Sequence, residues 1–309
     1  MDIKSAALTL KQGHLVAFPT ETVYGLGVDA ENVQAIHRMY EVKGRPKDHP
    51  VIVHIGNIQV LDYWAKEIPA YARALAEKYW PGPMTLLLPR TKLALDDITG
   101  GQEIVGIRFP SHPIAQGLLR EFHRLGGHGV AAPSANRFGN VSPTSAEDVV
   151  EELGDFLGEE DLIIDGGDCQ VGIESTIIDC TGDSPRIVRL GAITREMIEE
   201  ENSLNDLGSV SKIRASGTLP RHYSPRAKVL IDQQAVTGQG LIALSDQPTP
   251  AGVIRLASPS SIEEYAHDLY GALRKADAEG LQEICVFLPE GDGLAEAIRD
   301  RVMRAASEG

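Results

Sequence analysis

Residues 43–50, Lys43-Gly44-Arg45-Pro46-Lys47-Asp48-His49-Pro50, place three cations and a histidine within seven positions and stiffen them with a glycine and two prolines. A triphosphate is held best by donors that lose little freedom on binding, and here Arg offers a planar fork while Lys offers a compact point charge. The loop runs directly into an apolar segment, 51–55, where Val51, Val53 and Ile55 share one face and leave His54 on the other with Ile52. In 105–109, Arg108 likewise stands opposite three apolar residues, with Gly106 beside it leaving room. A histidine and a guanidinium in apolar strands need partners, and a bound anion is one candidate.

Three further segments carry polar groups at strand ends. The stretch 18–27, FPTETVYGLG, reads as one loop of hydroxyls, a carboxylate and two glycines after a strand. Ala131-Ala132-Pro133-Ser134-Ala135-Asn136 ends a strand in small residues, and 142–148 then opens a helix whose amides and nearby serines are expected to form an anion or ribose site. Glu174-Ser175-Thr176 and Arg189 complete the set. The run 166–172 resembles a P-loop only superficially, because it lacks the Lys-Ser/Thr and precedes a strand. No Ser-His-Asp, H-E-x-x-H or Cys-His spacing nominates a covalent nucleophile, so positioning and charge neutralisation are the expected means of catalysis.

The elements that must position these groups follow from hydrophobic periodicity. Strands are predicted at 15–18, 51–55, 84–88, 105–109, 130–132, 162–164, 176–179 and 187–189, with helices such as 33–40 and 70–79 between them. That alternation predicts an α/β fold, and several connections too short for a crossover helix predict a mixed sheet. Residues 207–231 contain no Asp or Glu but hold Lys212, Arg214, Arg221, Arg226 and Lys228, which reads as an interdomain linker lying against something anionic. Strands at 229–231, 241–244, 253–256 and 284–288 and helices at 262–278 and 294–305 predict a small second α/β domain. The expected division is 1–206, linker 207–228, and 229–309.

Composition narrows the function. Lys plus Arg number 29 against 44 Asp plus Glu, a formal net charge of -15, which opposes general binding to a polyanion and confines any phosphate site to local clusters. Three widely spaced cysteines without C-x-x-C suit reduced thiols and argue against structural zinc. No signal-peptide pattern or long apolar run appears, so the chain is expected to be soluble and cytoplasmic, without a membrane partner.

In order along the chain, PTETVYGLG, KGRPKDHPVIVHI, WPGPMTLLL, VGIRFP, APSAN and GIESTIID resemble the L-threonylcarbamoyladenylate synthases, which carry a YrdC-like catalytic domain. His222-Tyr223-Ser224-Pro225 followed by a small α/β domain resembles their longer, two-domain form. The resemblance implies a twisted mixed sheet flanked by helices, then a linker and a smaller Rossmann-like domain. It implies that L-threonine, bicarbonate or CO2, and ATP give threonylcarbamoyl-AMP and pyrophosphate for modification at position 37 of tRNA. Carried over by motif, Lys43, Arg45, His49, Ser134, Asn136, Ser142 and Arg189 would face ATP, with Lys43 and Arg45 neutralising charge during the reaction. Thr22, His54, Arg108, Ala132 and Ser175 would hold threonine, its carboxylate on Arg108, and Tyr223 would close over the nucleotide. Mg2+ would accompany the phosphates, held by their oxygens and water without protein ligands. Hand-over of the product to a threonylcarbamoyl transferase is implied, with direct tRNA contact weak. The alternatives are an RNA-binding module and a carbamoyl-AMP-forming hydrogenase maturation enzyme.

Overall fold

The computed structural model describes residues 2–200, 213–217 and 222–307. Helix α1 (Ile3–Lys11) leads into β1 (Val16–Phe18) and β2 (Gly25–Asp29). There follow α2 (Val33–Lys43), β3 (Ile52–His54), α3 (Leu61–Trp64), α4 (Ala70–Tyr79), β4 (Met84–Pro89), α5 (Asp96–Thr99) and β5 (Ile104–Arg108). Next come α6 (Pro113–Arg124), β6 (Val130–Ala131), α7 (Ala146–Leu153), β7 (Leu162–Ile163), β8 (Thr176–Asp179), β9 (Arg186–Arg189) and α8 (Arg195–Glu199).

These strands form one mixed nine-stranded sheet in the order β7-β1-β2-β6-β3-β5-β4-β8-β9. The central strands are apolar on both faces because both faces are covered. On one side α1 and α6 meet through Ala6, Ala7 and Leu10 against Leu118, Leu119 and Phe122. The larger core on the other side joins Met39 and Tyr40 of α2 and Leu75 of α4 to Val53, Leu86 and Ile107 of the sheet.

The 18–27 segment is not wholly a loop. Gly25–Asp29 is a strand antiparallel to β1, with Phe18 opposite Gly25 and Val16 opposite Gly27. Its glycines conceal the strand in the sequence yet are required by packing: a Cβ on Gly27 would lie 2.8 Å from both the Phe18 ring and Val130. Gly106 is likewise a packing glycine, since a Cβ there would meet Leu87 at 3.2 Å. It leaves no open room beside Arg108.

The second sheet comprises β10 (Lys228–Ile231), β11 (Gly240–Ile242), β12 (Ile254–Ala257) and β13 (Glu283–Val286), with α9 (Ile262–Ala278) after β12 and α10 (Leu294–Ala306) after β13. It is all parallel, in the order β10-β13-β11-β12. One apolar cluster joins α9 and α10 of this domain to Val23, Val141 and Ile173 of the first and to Tyr223 between them.

Candidate active site

Parallel pairing of β3 and β5 sets His54 directly beside Arg108 at the carboxyl ends of both strands, where α/β sheets commonly bind ligands. Antiparallel pairing puts Thr85 of β4 next to Arg108, and its hydroxyl shares a 2.8 Å hydrogen bond with that of Ser175, just before β8. A bridge between Gly25 and Ser134 brings the loop before β2 against the loop after β6. The result is a partly open cavity of about 50 Å³, room for a few waters.

Arg45, His54, Arg108, Ala132, Ser134, Ser175, Arg189 and Tyr223, all expected site residues, line this cavity. Arg108 donates to Glu21 Oε1 at 2.7 Å within a buried ion pair, while its Nε has no hydrogen-bond partner among the described residues. His54 Nδ1 is likewise buried and unpartnered. Burial, with the Arg108 cation beside it, pushes the His54 pKa down to about 3, so the ring is neutral at physiological pH. Two unsatisfied buried donors or acceptors side by side are what a small zwitterion or carboxylate would complete.

Two further cations form part of the wall. Arg45 Nη2 donates to the Ser216 hydroxyl at 3.2 Å and to the Pro50 carbonyl at 2.8 Å. Arg189 Nη1 donates to the Ser216 carbonyl at 2.9 Å, and its Nη2 to the Ser175 hydroxyl at 3.1 Å. Burial lowers the pKa of both guanidinium groups from the usual value, and among the described residues neither has an ion pair with a carboxylate. Two linker oxygens from one serine thus satisfy two buried cations.

The remaining expected residues stand behind the wall. Lys43 is buried and donates Nζ to the carbonyls of Ser134 and Asn136. Burial first, then Arg45 nearby, pulls its pKa well below the ordinary lysine value. Asn136 donates Nδ2 to the Arg137 and Asn140 carbonyls, and its Oδ1 has no described partner. Ser142 donates its hydroxyl to Glu174 Oε1 at 2.7 Å. His49 packs its ring edge-on to Phe138 at 5.3 Å. Thr22 shares a 2.9 Å hydrogen bond with Thr20, and it is Thr20 that reaches the cavity.

One expectation is corrected, and another is met inside the chain. The helix opened by 142–148 is not a wholly open anion site: α7 begins at Ala146, and a capping box of Ser145 and Asp148 takes up the amides of Thr144, Ser145 and Asp148. The linker arginines that are described find their anions within the chain, Arg214 on Asp48 at 3.3 Å and Arg226 on Asp277 at 3.7 Å. Lys212 and Arg221 lie outside the described residues.

Sequence reasoning missed Ser216, Gly217 and His222 as lining residues, and Tyr270 and Arg301 behind them. Arg301 left a signal, since it sits on the apolar face of α10 with Ile298, Val302 and Ala305.

A profile of the Sua5/YciO/YrdC family, described as telomere recombination, matches residues 8–191. A second, described as the C-terminal domain of threonylcarbamoyl-AMP synthase, matches 193–307. The fold is shared with the crystal structure of Pyrococcus abyssi Sua5 complexed with L-threonine: TM-score 0.87, 37% identity, covering 98% of this chain and 94% of that one. The threonylcarbamoyl-AMP synthases of Pyrococcus abyssi and Bacillus subtilis are 40% and 38% identical over 98% of this chain and 94% and 92% of theirs. The chain belongs to the threonylcarbamoyl-AMP synthase family, in its two-domain form. Full-length agreement with those enzymes sets aside the RNA-binding module and the hydrogenase maturation enzyme. Among the described residues, no helix is long and apolar enough to cross a membrane.

Proposed function

We propose that this pocket converts L-threonine, bicarbonate or CO2, and ATP to threonylcarbamoyl-AMP and pyrophosphate in the cytoplasm, for transfer by a separate enzyme to position 37 of tRNA. The observation that carries the reading is the pair of Ser216 oxygens on Arg45 and Arg189, which line one cavity together with Arg108 and neutral His54. Phosphate oxygens would replace those of Ser216, so the nucleotide binds as residues 216–217 yield. Threonine would place its carboxylate on Arg108 and its ammonium or hydroxyl near His54 and Ser175.

The chemistry then needs little from the protein beyond placement and charge. The threonine nitrogen, as the free amine after its ammonium proton passes to solvent, adds to CO2 and releases a second proton to become a carbamate, whose oxygen attacks the α-phosphorus in line. The bond from that phosphorus to the bridging oxygen breaks, and pyrophosphate leaves. Lys43, Arg45 and Arg189 would neutralise the triphosphate, while Tyr223 and the linker exclude water from the short-lived carbamate. Both nearby carboxylates are engaged, Glu21 by Arg108 and the Ser111 amide, Glu174 by Arg301, Tyr270 and Ser142. Mg2+ would therefore be held by phosphate oxygens and water and would supply further charge neutralisation.

Pyrophosphate release from ATP is expected only when threonine and bicarbonate are both present. Equal release with serine, or without bicarbonate, would sink the substrate assignment. Tyr223→Ala should lower product formation more than it lowers thermal stability, and unchanged turnover would reduce the linker to a tether.

A further inference from the structure

The second domain reaches the cavity-lining Glu174 through two buried residues, Arg301 and Tyr270. Arg301 of α10 is fully buried. Its Nε donates to Glu174 Oε2 at 2.9 Å and its Nη2 to the Leu190 carbonyl at 2.7 Å, both in the first domain. Tyr270 of α9 donates its hydroxyl to the same Glu174 oxygen at 2.9 Å. The other oxygen of Glu174 takes the Ser142 hydroxyl, and Glu174 itself lines the cavity.

The same two residues seat the linker. The Arg301 guanidinium lies 5.3 Å from the Tyr223 ring centre, and Tyr270 stacks on that ring at 5.5 Å and 25°. Tyr223 has φ near +62°, a conformation a non-glycine residue keeps only when its surroundings impose it. A Cβ on Gly217 would lie 2.2 Å from the Tyr223 hydroxyl, so glycine there lets the phenol approach the linker. Glu174 would be raised by burial alone; Arg301 and Arg189 overcome this and hold it at about 2, so the carboxylate stays charged.

We infer that Arg301 is a positioning residue for the synthase reaction: from the second domain it fixes the Glu174 carboxylate and the Tyr223 ring, and thereby sets how firmly Tyr223 is held as a wall of the cavity that takes the nucleotide. Residues 216–217 give way to phosphates while Tyr223 stays seated as a wall. Its kinetic consequence depends on the function proposed above; its effect on the linker does not.

The test uses the full chain with Arg301→Met, Tyr270→Phe and, as control, Arg299→Met, whose guanidinium donates to the Pro289 carbonyl of its own domain. KM for ATP should rise about tenfold in R301M and about threefold in Y270F, with kcat changed less than KM. Tryptic cleavage after Arg226, whose amide is held by Asp277 three residues beyond Tyr223, should accelerate by similar factors in both, and R299M should match wild type in both measurements. Removing Arg301 leaves Glu174 buried without its main partner; if R301M does not fold, Y270F, which keeps every charge, decides alone. Wild-type KM and cleavage in a folded R301M or in Y270F would overturn the inference, as would an equal change in R299M. If wild-type protein releases no threonine-dependent pyrophosphate, the proposed function falls while the proteolysis still decides the role of Arg301.

Discussion

Replacing Arg108 by Gln tests whether its guanidinium serves threonine or only Glu21. The two buried groups pair at 2.7 Å with side chains about 5% and 4% exposed. Removing Arg108 alone leaves Glu21 charged in the interior, held by the Ser111 and His112 amides, at a cost of about 3–5 kcal/mol in stability. Loss of a charge-assisted contact to the threonine carboxylate costs about 1.5–3 kcal/mol, a rise in KM for threonine of roughly 10- to 150-fold. The double variant Glu21→Gln/Arg108→Gln separates these effects, because no unpaired charge is left in the interior. Urea unfolding should show most of the stability restored, while pyrophosphate release titrated with threonine should show KM as high as in R108Q and KM for ATP near wild type. Recovery of wild-type threonine KM in the double variant would refute the assignment and leave Arg108 a structural partner of Glu21.

Burial pushes both His54 and His222 down to about 3, so the unfolded chain binds more protons than the folded one below the unfolded pKa of about 6.5. Stability is therefore full above that value and falls as pH drops toward 3, by about 2 kcal/mol per histidine at pH 5. His222→Asn should remove its share, seen as a shallower loss between pH 7.5 and pH 5 in chemical unfolding; parallel curves would count against a neutral buried ring. Lys43, depressed in the free protein, should regain its ordinary pKa beside phosphates, so ATP binding takes up a proton and weakens as pH rises between the two values. Calorimetry in buffers of different ionisation enthalpy should detect this uptake in wild type and lose it in Lys43→Met.

The sequence by itself determined most of the elements and half of the site. Apolar runs at β3, β4 and β5 are buried on both faces, so no polar alternation obscures them, and the one basic residue in each of β3 and β5 stands out as His54 and Arg108. The cationic loop at Arg45 was legible because stiff, charged loops are local features. Strand β2 was hidden because its glycines are dictated by the Phe18 ring and Val130 on neighbouring strands, a requirement no local pattern carries. Only tertiary structure decided that Lys43 lies behind Ser134, that Thr20 rather than Thr22 meets the cavity, and that Ser216 bridges two arginines 171 and 27 residues away. It alone joined Arg301 to Glu174 across 127 residues. A buried charge is stabilised by whichever partner the fold brings within about 3 Å, and that partner is set by packing between domains and not by spacing along the chain.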